Sequence, residues 1–319
     1  MDIEQIFNII CEKASVTKED AIKLFEKAIE GGEISKGTKI ETWLEERFLP
    51  NIVTIDKDGY AKMCVDALKI LGGTAATDYG SSRQRDMGQL WADMTRGYLG
   101  EYAFIRFLYE KGGIEADLGH DSGQLGDFLP TDIHRIKKTG DAWREPKLTI
   151  SIKTTKWNGI WLDIPGDQFN HSDVHVLIKV GAGRDHLFSF FKEISVFKDK
   201  VLKKGVDIGA LTDTEADSIF EKIPSFMPIS AYICGFVRKK TQYRNLSYTG
   251  QAGRKNYKIK SWNGPIRPGD LQSIKTNEAV SGTVKFEGIG KFAHDSGYLF
   301  NTGNLIWTEA DWRDIFLKI

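Results

Sequence analysis

Apolar and polar positions follow two different periods along this chain, and the switch between them marks its elements. In the first seventy residues the period is helical. Ile3, Ile6, Phe7 and Ile10 form one stripe, and Ala21, Leu24, Phe25 and Ala28 form another. Thr17 opens the second helix with Asp20 as its capping partner, and Gly31-Gly32 stops it. Such a region is expected to pack on a core or on a second subunit. From Gly72 to Gly88 the chain turns small and polar without periodicity, which predicts a loop. The loop feeds a helix in which Glu101, Phe104, Ile105 and Leu108 share one side, so a carboxylate falls on the stripe that should face the core.

Beyond Gly112-Gly113, a loop containing Gly119, Gly123 and Gly126 leads to Asp127 and Asp132. Pro130 biases the approach to Asp132 toward extended geometry, and Asp132-Ile-His-Arg-Ile then reads as a short strand with Asp132 and Ile133 on opposite faces. Asp127 competes for the position of the strand acid. A turn at Thr139-Gly140-Asp141 returns the chain to 148–153, where Leu148, Ile150 and Ile152 alternate with Thr149, Ser151 and Lys153. Lys153 therefore shares a polar face with Ser151. Residues 174–180 predict a central strand, Leu187-Phe-Ser-Phe-Phe a neighbouring strand, 193–223 helices over the sheet, and 227–237 a further strand. Short strands and turns follow around 282–289, and Thr308 caps a last helix.

These elements predict an α/β fold with a central mixed β-sheet flanked by helices. A helical N-terminal region (residues 1–90) precedes a core at 91–240, and a β-rich basic region follows at 241–319. The 319 residues suffice for one large or two ordinary domains, and 41% hydrophobic content is that of a globular protein. The 44 basic and 44 acidic side chains balance, but their distribution is uneven. Residues 1–60 carry thirteen acids and eight bases, whereas 238–267 carry nine bases and no acid. That asymmetry predicts a local anion-binding surface. Cys11, Cys64 and Cys234 lie far apart without a CxxC partner, so a disulfide framework and a zinc knuckle are both disfavoured, and a reducing cytoplasm fits. Neither a signal peptide nor a run of eighteen apolar residues is present, so no membrane association is expected.

A charge on a core-facing stripe needs a partner or a metal. One helical acid (Glu101), one strand acid (Asp132) and one strand lysine (Lys153) are thus expected to converge. This ordered set, Gly100-Glu101 on a helix, Pro130-Thr131-Asp132, then Ser151-Ile152-Lys153 followed by a Trp/Gln-containing segment and a buried strand, resembles the PD-(D/E)xK nuclease superfamily, in particular type II restriction endonucleases. The resemblance covers about eighty residues in the middle of the chain. It implies a restriction-endonuclease-like core and Mg²⁺-dependent, site-specific hydrolysis of double-stranded DNA by a homodimer. In that scheme Asp132 is the main metal ligand, Glu101 ligates or orients, the Ile152 carbonyl is a further ligand, and Lys153 positions the attacking water or balances phosphate charge. Ser151 departs from the pattern, because the family carries Asp or Glu there.

Other segments bear on partners. Arg83, Gln84 and Arg85 precede the Glu101 helix and are residue types that read base edges. Lys156, Lys239, Lys240, Arg244, Arg254, Lys255 and Lys258 are candidate phosphate contacts, the later ones interleaved with Tyr243, Tyr248, Tyr257 and Trp262 for base stacking. Trp157 and Trp161 read either as a wall of the site or as core, and Asp163 and Gln168 as supporting groups. His171 and His175 would share a metal only on a helix; on a strand they stand about 13 Å apart. No GxxxxGK[ST] is present, which excludes a nucleoside-triphosphate-driven motor of that type, and no GxSxG elbow appears. Two alternatives stand beside the restriction enzyme: a DNA-binding protein on a nuclease fold that has lost activity, and a structure-specific or modified-base-directed nuclease.

Overall fold

The computed structural model describes residues 1–319 apart from 36, 38, 72–85, 120–130, 240–246, 290–295 and the side chain of Asp167. Helices α1 (Ile3–Ala14) and α2 (Lys18–Glu30) bury the two stripes set out above, except for Ile3, which is exposed. Asp2 caps α1, Thr17 caps α2 by accepting the Asp20 N–H at 3.2 Å, and Gly31 ends α2. A short α3 (Ile40–Thr42) runs into a π-helical turn, Trp43–Phe48, that turns Trp43, Leu44, Arg47 and Phe48 inward. Strand β1 (Ile52–Ile55) comes next, inside the stretch read as helical, and α4 (Lys57–Leu71) follows it.

The long α5 (Met87–Gly112) carries Glu101 and starts at Asp86, whose side chain accepts the Gln89 N–H. Then come the antiparallel pair β2 (Ile114–Asp117) and β3 (Arg135–Lys138), β4 (Ile150–Lys156), β5 (Trp161–Pro165), α6 (Gly166–Phe169) and β6 (Val174–Val180). Helices α7 (His186–Glu193), α8 (Lys203–Asp207) and α9 (Asp213–Lys222) lead to β7 (Ile229–Arg238). The C-terminal part adds β8 (Ser247–Ala252), β9 (Tyr257–Ile266), α10 (Asp270–Asn277), β10 (Val284–Phe286), β11 (Gly297–Asn301) and α11 (Glu309–Lys318).

Two mixed sheets result. The first runs β1-β7-β6-β4, with β4 and β6 parallel and the other pairs antiparallel. The second runs β10-β9-β11-β5, with β8 on β9. Its edge strand β5 comes from between β4 and β6, so the middle of the chain contributes directly to the C-terminal sheet.

All of β6 is buried, because helices cover both faces of the first sheet. On one face Leu99, Ala103, Phe104 and Phe107 of α5 pack with Trp312 of α11 on Ile150, Ile152, Val176, Ile178 and Phe236. On the other, α1, α2, Trp43 and Phe48 meet Leu177, Tyr232 and Cys234. The segment at 187–191 corrects the expectation of a strand. It is helical: Leu187, Phe190 and Phe191 face the core while Phe188 is exposed. A short apolar run does not by itself distinguish the two periods.

Candidate active site at the outer edge of strand β4

Strand β4 uses one edge for β6 and offers the other to the chain at 131–134. There the Asp132 N–H donates to the Ile150 carbonyl at 2.9 Å, and the Ile150 N–H donates to Thr131 Oγ1 at 3.1 Å. The Ile152 N–H donates to Asp132 Oδ2 at 2.5 Å. The Asp132 carboxylate is thereby pinned to the strand edge, opposite in direction to fully buried Ile133. Because a strand residue's N–H and C=O point to the same side, the Ile152 carbonyl faces this edge too.

Helix α5 lies directly on β4. A Cβ at Gly100 would sit 1.9 Å from Thr154 Oγ1, and that hydroxyl donates to the Gly97 carbonyl at 3.1 Å. Only a glycine permits this approach, and it delivers the next residue, Glu101, to the strand. Lys153 leaves the opposite face of β4 from Ile152 and donates to Gln168 Oε1 of α6 at 2.7 Å. Burial pulls the Lys153 ammonium below the ordinary lysine range, and the charges of Asp132, Glu101 and Asp163 only partly restore it. Tyr98, one turn before Glu101, reports the same concentration of charge: burial raises its hydroxyl, and Glu101, Asp66 and Asp132 raise it further.

The structure therefore brings Glu101, Asp132 and Lys153 into one electrostatic neighbourhood with Asp163 and Tyr98. Ser151 is half-buried on the Lys153 face of β4. Tyr98 was absent from the sequence reading, although its i,i+3 spacing from Glu101 is the signal that could have found it. Asp163 stands on β5, and its approach to Lys153 depends on the fold rather than on spacing.

The remaining candidates distribute differently. Arg83, Gln84, Arg85, Asp127, Lys240, Tyr243 and Arg244 lie outside the described residues. Lys156 is exposed at the end of β4. Lys239 is exposed and donates to the Asn170 carbonyl. Arg254 and Lys255 are exposed at the turn between β8 and β9, and Lys258 pairs with Glu287 at 2.5 Å beside Lys260. Two aromatic residues of this run correct the stacking expectation, while Tyr248 is half-buried with its ring stacked on that of Trp262. Tyr257 and Trp262 are buried in the core of the second sheet, packed with Phe286 and Ile259, and so present no face to a base. Trp157 and Trp161 are core as well. His175 is in β6, stacked on Phe169 with its ring bonded to the Phe169 carbonyl, and burial pushes its pKa down to about 4. Since its segment is a strand, the condition for sharing a metal with His171 is not met.

Among the described residues, no three His, Cys, Asp or Glu side chains are grouped to hold a metal by themselves. Magnesium does not require that. It keeps several waters and is commonly held by one or two carboxylates and the substrate phosphate. The donors at this edge, the carboxylates of Asp132 and Glu101 and the Ile152 carbonyl, are all hard oxygens and suit such a cation. No helix among the described residues is long and apolar enough to cross a membrane. No family model, curated protein or solved structure matches the chain.

Proposed function

We propose that this chain is a Mg²⁺-dependent endonuclease that hydrolyses double-stranded DNA at a defined sequence, in the manner of type II restriction enzymes and as a homodimer. The observation that carries the reading is the pinning of the Asp132 carboxylate to the edge of β4, the strand that bears Lys153 with its buried ammonium under the charges of Asp132 and Glu101, with α5 seated on that strand through Gly100. Bound Mg²⁺ would supply positive charge for the phosphate and acidify a water. Asp132 and Glu101 would hold it, with the Ile152 carbonyl as a neutral donor. Lys153, fixed by Gln168 and easier to deprotonate than a surface lysine, exchanges a proton with the attacking water or balances charge developing on phosphate. Ser151 supplies only a neutral oxygen, and Asp163 adds a negative charge within reach of Lys153.

Ser151 also favours a second reading, a DNA-binding protein whose chemistry has been lost. Incubation of unmethylated phage DNA with the purified protein, in Mg²⁺ and in EDTA, separates the two. Discrete Mg²⁺-dependent fragments that vanish in Asp132→Ala and Lys153→Ala support the nuclease. Intact DNA that wild type still shifts in a gel supports the binder, and fragments only from modified or branched DNA point to a nuclease of different specificity.

A further inference from the structure

Strand register in the second sheet sets a row of polar side chains on one face. Gln251 on β8, Lys258 on β9 and Lys285 on β10 are Cα partners, so they stand side by side, about 4.8 Å apart from strand to strand. Lys285 is exposed, and no carboxylate pairs with it among the described residues. Lys258 and Lys260 share Glu287, at 2.5 and 2.8 Å. Three ammoniums thus stand with one carboxylate, and exposed Arg254 and Lys255 add their charges at the adjoining turn. Like charges side by side on a sheet repel, so an anion seated between Lys258 and Lys285 would relieve the pair. Both lysines line a recess of about 350 Å³, together with Gln251, Gly253, Asn256 and Thr283. No carboxylate lines it; besides Glu287, the charge of Glu278 reaches this end of the sheet at Tyr257. The turn that shapes the recess is held on three sides. The Gly253 N–H donates to the Asn256 carbonyl and the Gly282 N–H to the Lys255 carbonyl, both at 2.7 Å, and the Thr283 N–H and hydroxyl donate to Asn256 Oδ1 at 3.0 Å. Asn256 keeps its amide N–H groups to donate.

We infer that this recess seats a backbone phosphate of duplex DNA, its oxygens between the Lys258 and Lys285 ammoniums and met by the Gln251 and Asn256 amides. Cations and neutral donors without an acid in the lining suit a phosphate. The one ring that lines the recess, that of Tyr257, is buried, so nothing there stacks on an unpaired base, which favours a duplex over a single strand. Between Met227 and Leu317 no large apolar side chain among the described residues is exposed, so this surface offers nothing to insert into a lipid bilayer. The inference deepens the nuclease reading and rests on it for the choice of DNA over other polyanions. Lys285 lies outside the basic run at 238–267 and joins it only through the pairing of β10 with β9. The same sheet reaches β5, whose Asp163 acts on Lys153, so it grips the duplex at one end and adds charge to the candidate site at the other.

Fluorescence anisotropy with a labelled DNA duplex of mixed sequence over a chloride series, in Ca²⁺ in place of Mg²⁺ to suppress cutting, tests the assignment. Lys285→Gln should lower the slope of log affinity against log salt by about one counterion and Lys258→Gln/Lys285→Gln by about two, while Lys285→Arg should keep it. Because Lys285 holds no ion pair, the melting temperature of Lys285→Gln should stay at the wild-type value, so that a lower slope reports binding and not folding. An unchanged slope in the double variant, or a wild type that does not bind the duplex, overturns the inference. Tighter wild-type binding of labelled oligothymidylate than of the duplex, or a Lys285→Gln protein that releases phosphatidylserine vesicles but keeps the duplex, gives the recess to another partner and overturns it as well. A parallel Mg²⁺ cleavage assay keeps the two claims apart. Cleavage by wild type with an unchanged slope in the double variant sinks the recess and leaves the nuclease standing. A slope that falls with Lys258 and Lys285 in a protein that never cuts does the reverse.

Discussion

Lys179 and Lys153 leave the same face of the first sheet from adjacent parallel strands, yet they meet carboxylates in opposite ways. Lys179 is 1% exposed and donates to Glu33 Oε1 at 2.9 Å, while the second Glu33 oxygen accepts from the Tyr232 hydroxyl at 2.7 Å and the Trp43 indole at 3.2 Å. Arg47 adds its charge at 3.9 Å and anchors itself on the Cys234 and Thr302 carbonyls. Lys153 instead donates to an amide oxygen, that of Gln168, and feels three carboxylates through space. The first centre is closed. It ties the region after α2 to β6, β7 and the chain after β11, and both Glu33 oxygens are occupied. The second gathers the charges of Asp132, Glu101 and Asp163 around a buried ammonium at a strand, the kind of perturbed group that clusters at functional sites.

The comparison breaks most sharply at Glu33. Glu33→Ala leaves two buried cations without their anion, and the expected cost is about 3–5 kcal/mol in urea unfolding. The same centre sets an acid limit. Burial alone would raise the Glu33 carboxyl, but Lys179 and Arg47, with hydrogen bonds from Lys179 and Tyr232, overcome this and hold it at about 2. A carboxyl depressed in the folded state contributes its stability above the unfolded value and loses it as pH falls toward the folded one. Wild-type stability should therefore decline between about pH 4.5 and 2, and Glu33→Gln should show a shallower decline over that window. An equally steep decline in Glu33→Gln would mean that other carboxylates control acid unfolding.

Lys153→Met should behave in the opposite sense. Its ammonium is disfavoured by burial, so removing it is expected to change stability by less than about 1 kcal/mol. Mg²⁺-dependent cleavage should nevertheless fall by about 10²–10³-fold, the scale of losing one preorganised electrostatic contact. Urea unfolding and single-turnover cleavage on the same preparation measure both. A large loss of stability would place Lys153 with Lys179 as a structural group.

How far these centres could be read from the sequence follows from how local their signals are. β6 was legible because seven consecutive residues between two covered faces must all be apolar or paired. β4 was legible from its alternation, and with it the shared face of Ser151 and Lys153. The Glu33 centre was not legible, because Glu33, Arg47, Lys179 and Tyr232 meet only through sheet order and helix packing. The burial of Tyr257 and Trp262 was not legible for a related reason: a strand that alternates lysine with aromatics looks the same whether its rings face a core or a ligand. At 187–191 the apolar run was too short to carry a period.

The contact between Gly100 and Thr154 joins the helical half of the candidate site to the strand half. Gly100→Ala places a methyl 1.9 Å from Thr154 Oγ1, a separation that forces helix and strand apart. The expected cost is about 1–3 kcal/mol, with reduced cleavage because Glu101 moves with the helix. Pairing the change with Thr154→Ala, which removes both the Oγ1 at 1.9 Å and the Cγ2 at 2.9 Å, should relieve part of it. No loss of either stability or cleavage would show that α5 adjusts without disturbing Glu101.

The smallest effect concerns the charge that Ser151 does not supply. Asp163 on β5 raises the Lys153 ammonium through its charge, so it contributes negative potential to the site from a neighbouring sheet. If that potential serves cation binding, Asp163→Asn should raise the Mg²⁺ concentration for half-maximal cleavage about tenfold, equivalent to about 1.4 kcal/mol, while the rate at saturating Mg²⁺ changes less. Ser151→Asp should then restore the lost affinity in the Asp163→Asn background, because residue 151 shares the face of β4 that bears Lys153. Such a rescue would mean that one negative charge is required near Lys153 and that either strand can carry it. If Asp163→Asn leaves the Mg²⁺ requirement where it was, the charge at β5 belongs with Glu33 as part of the scaffold, and Asp132 and Glu101 alone carry the cation.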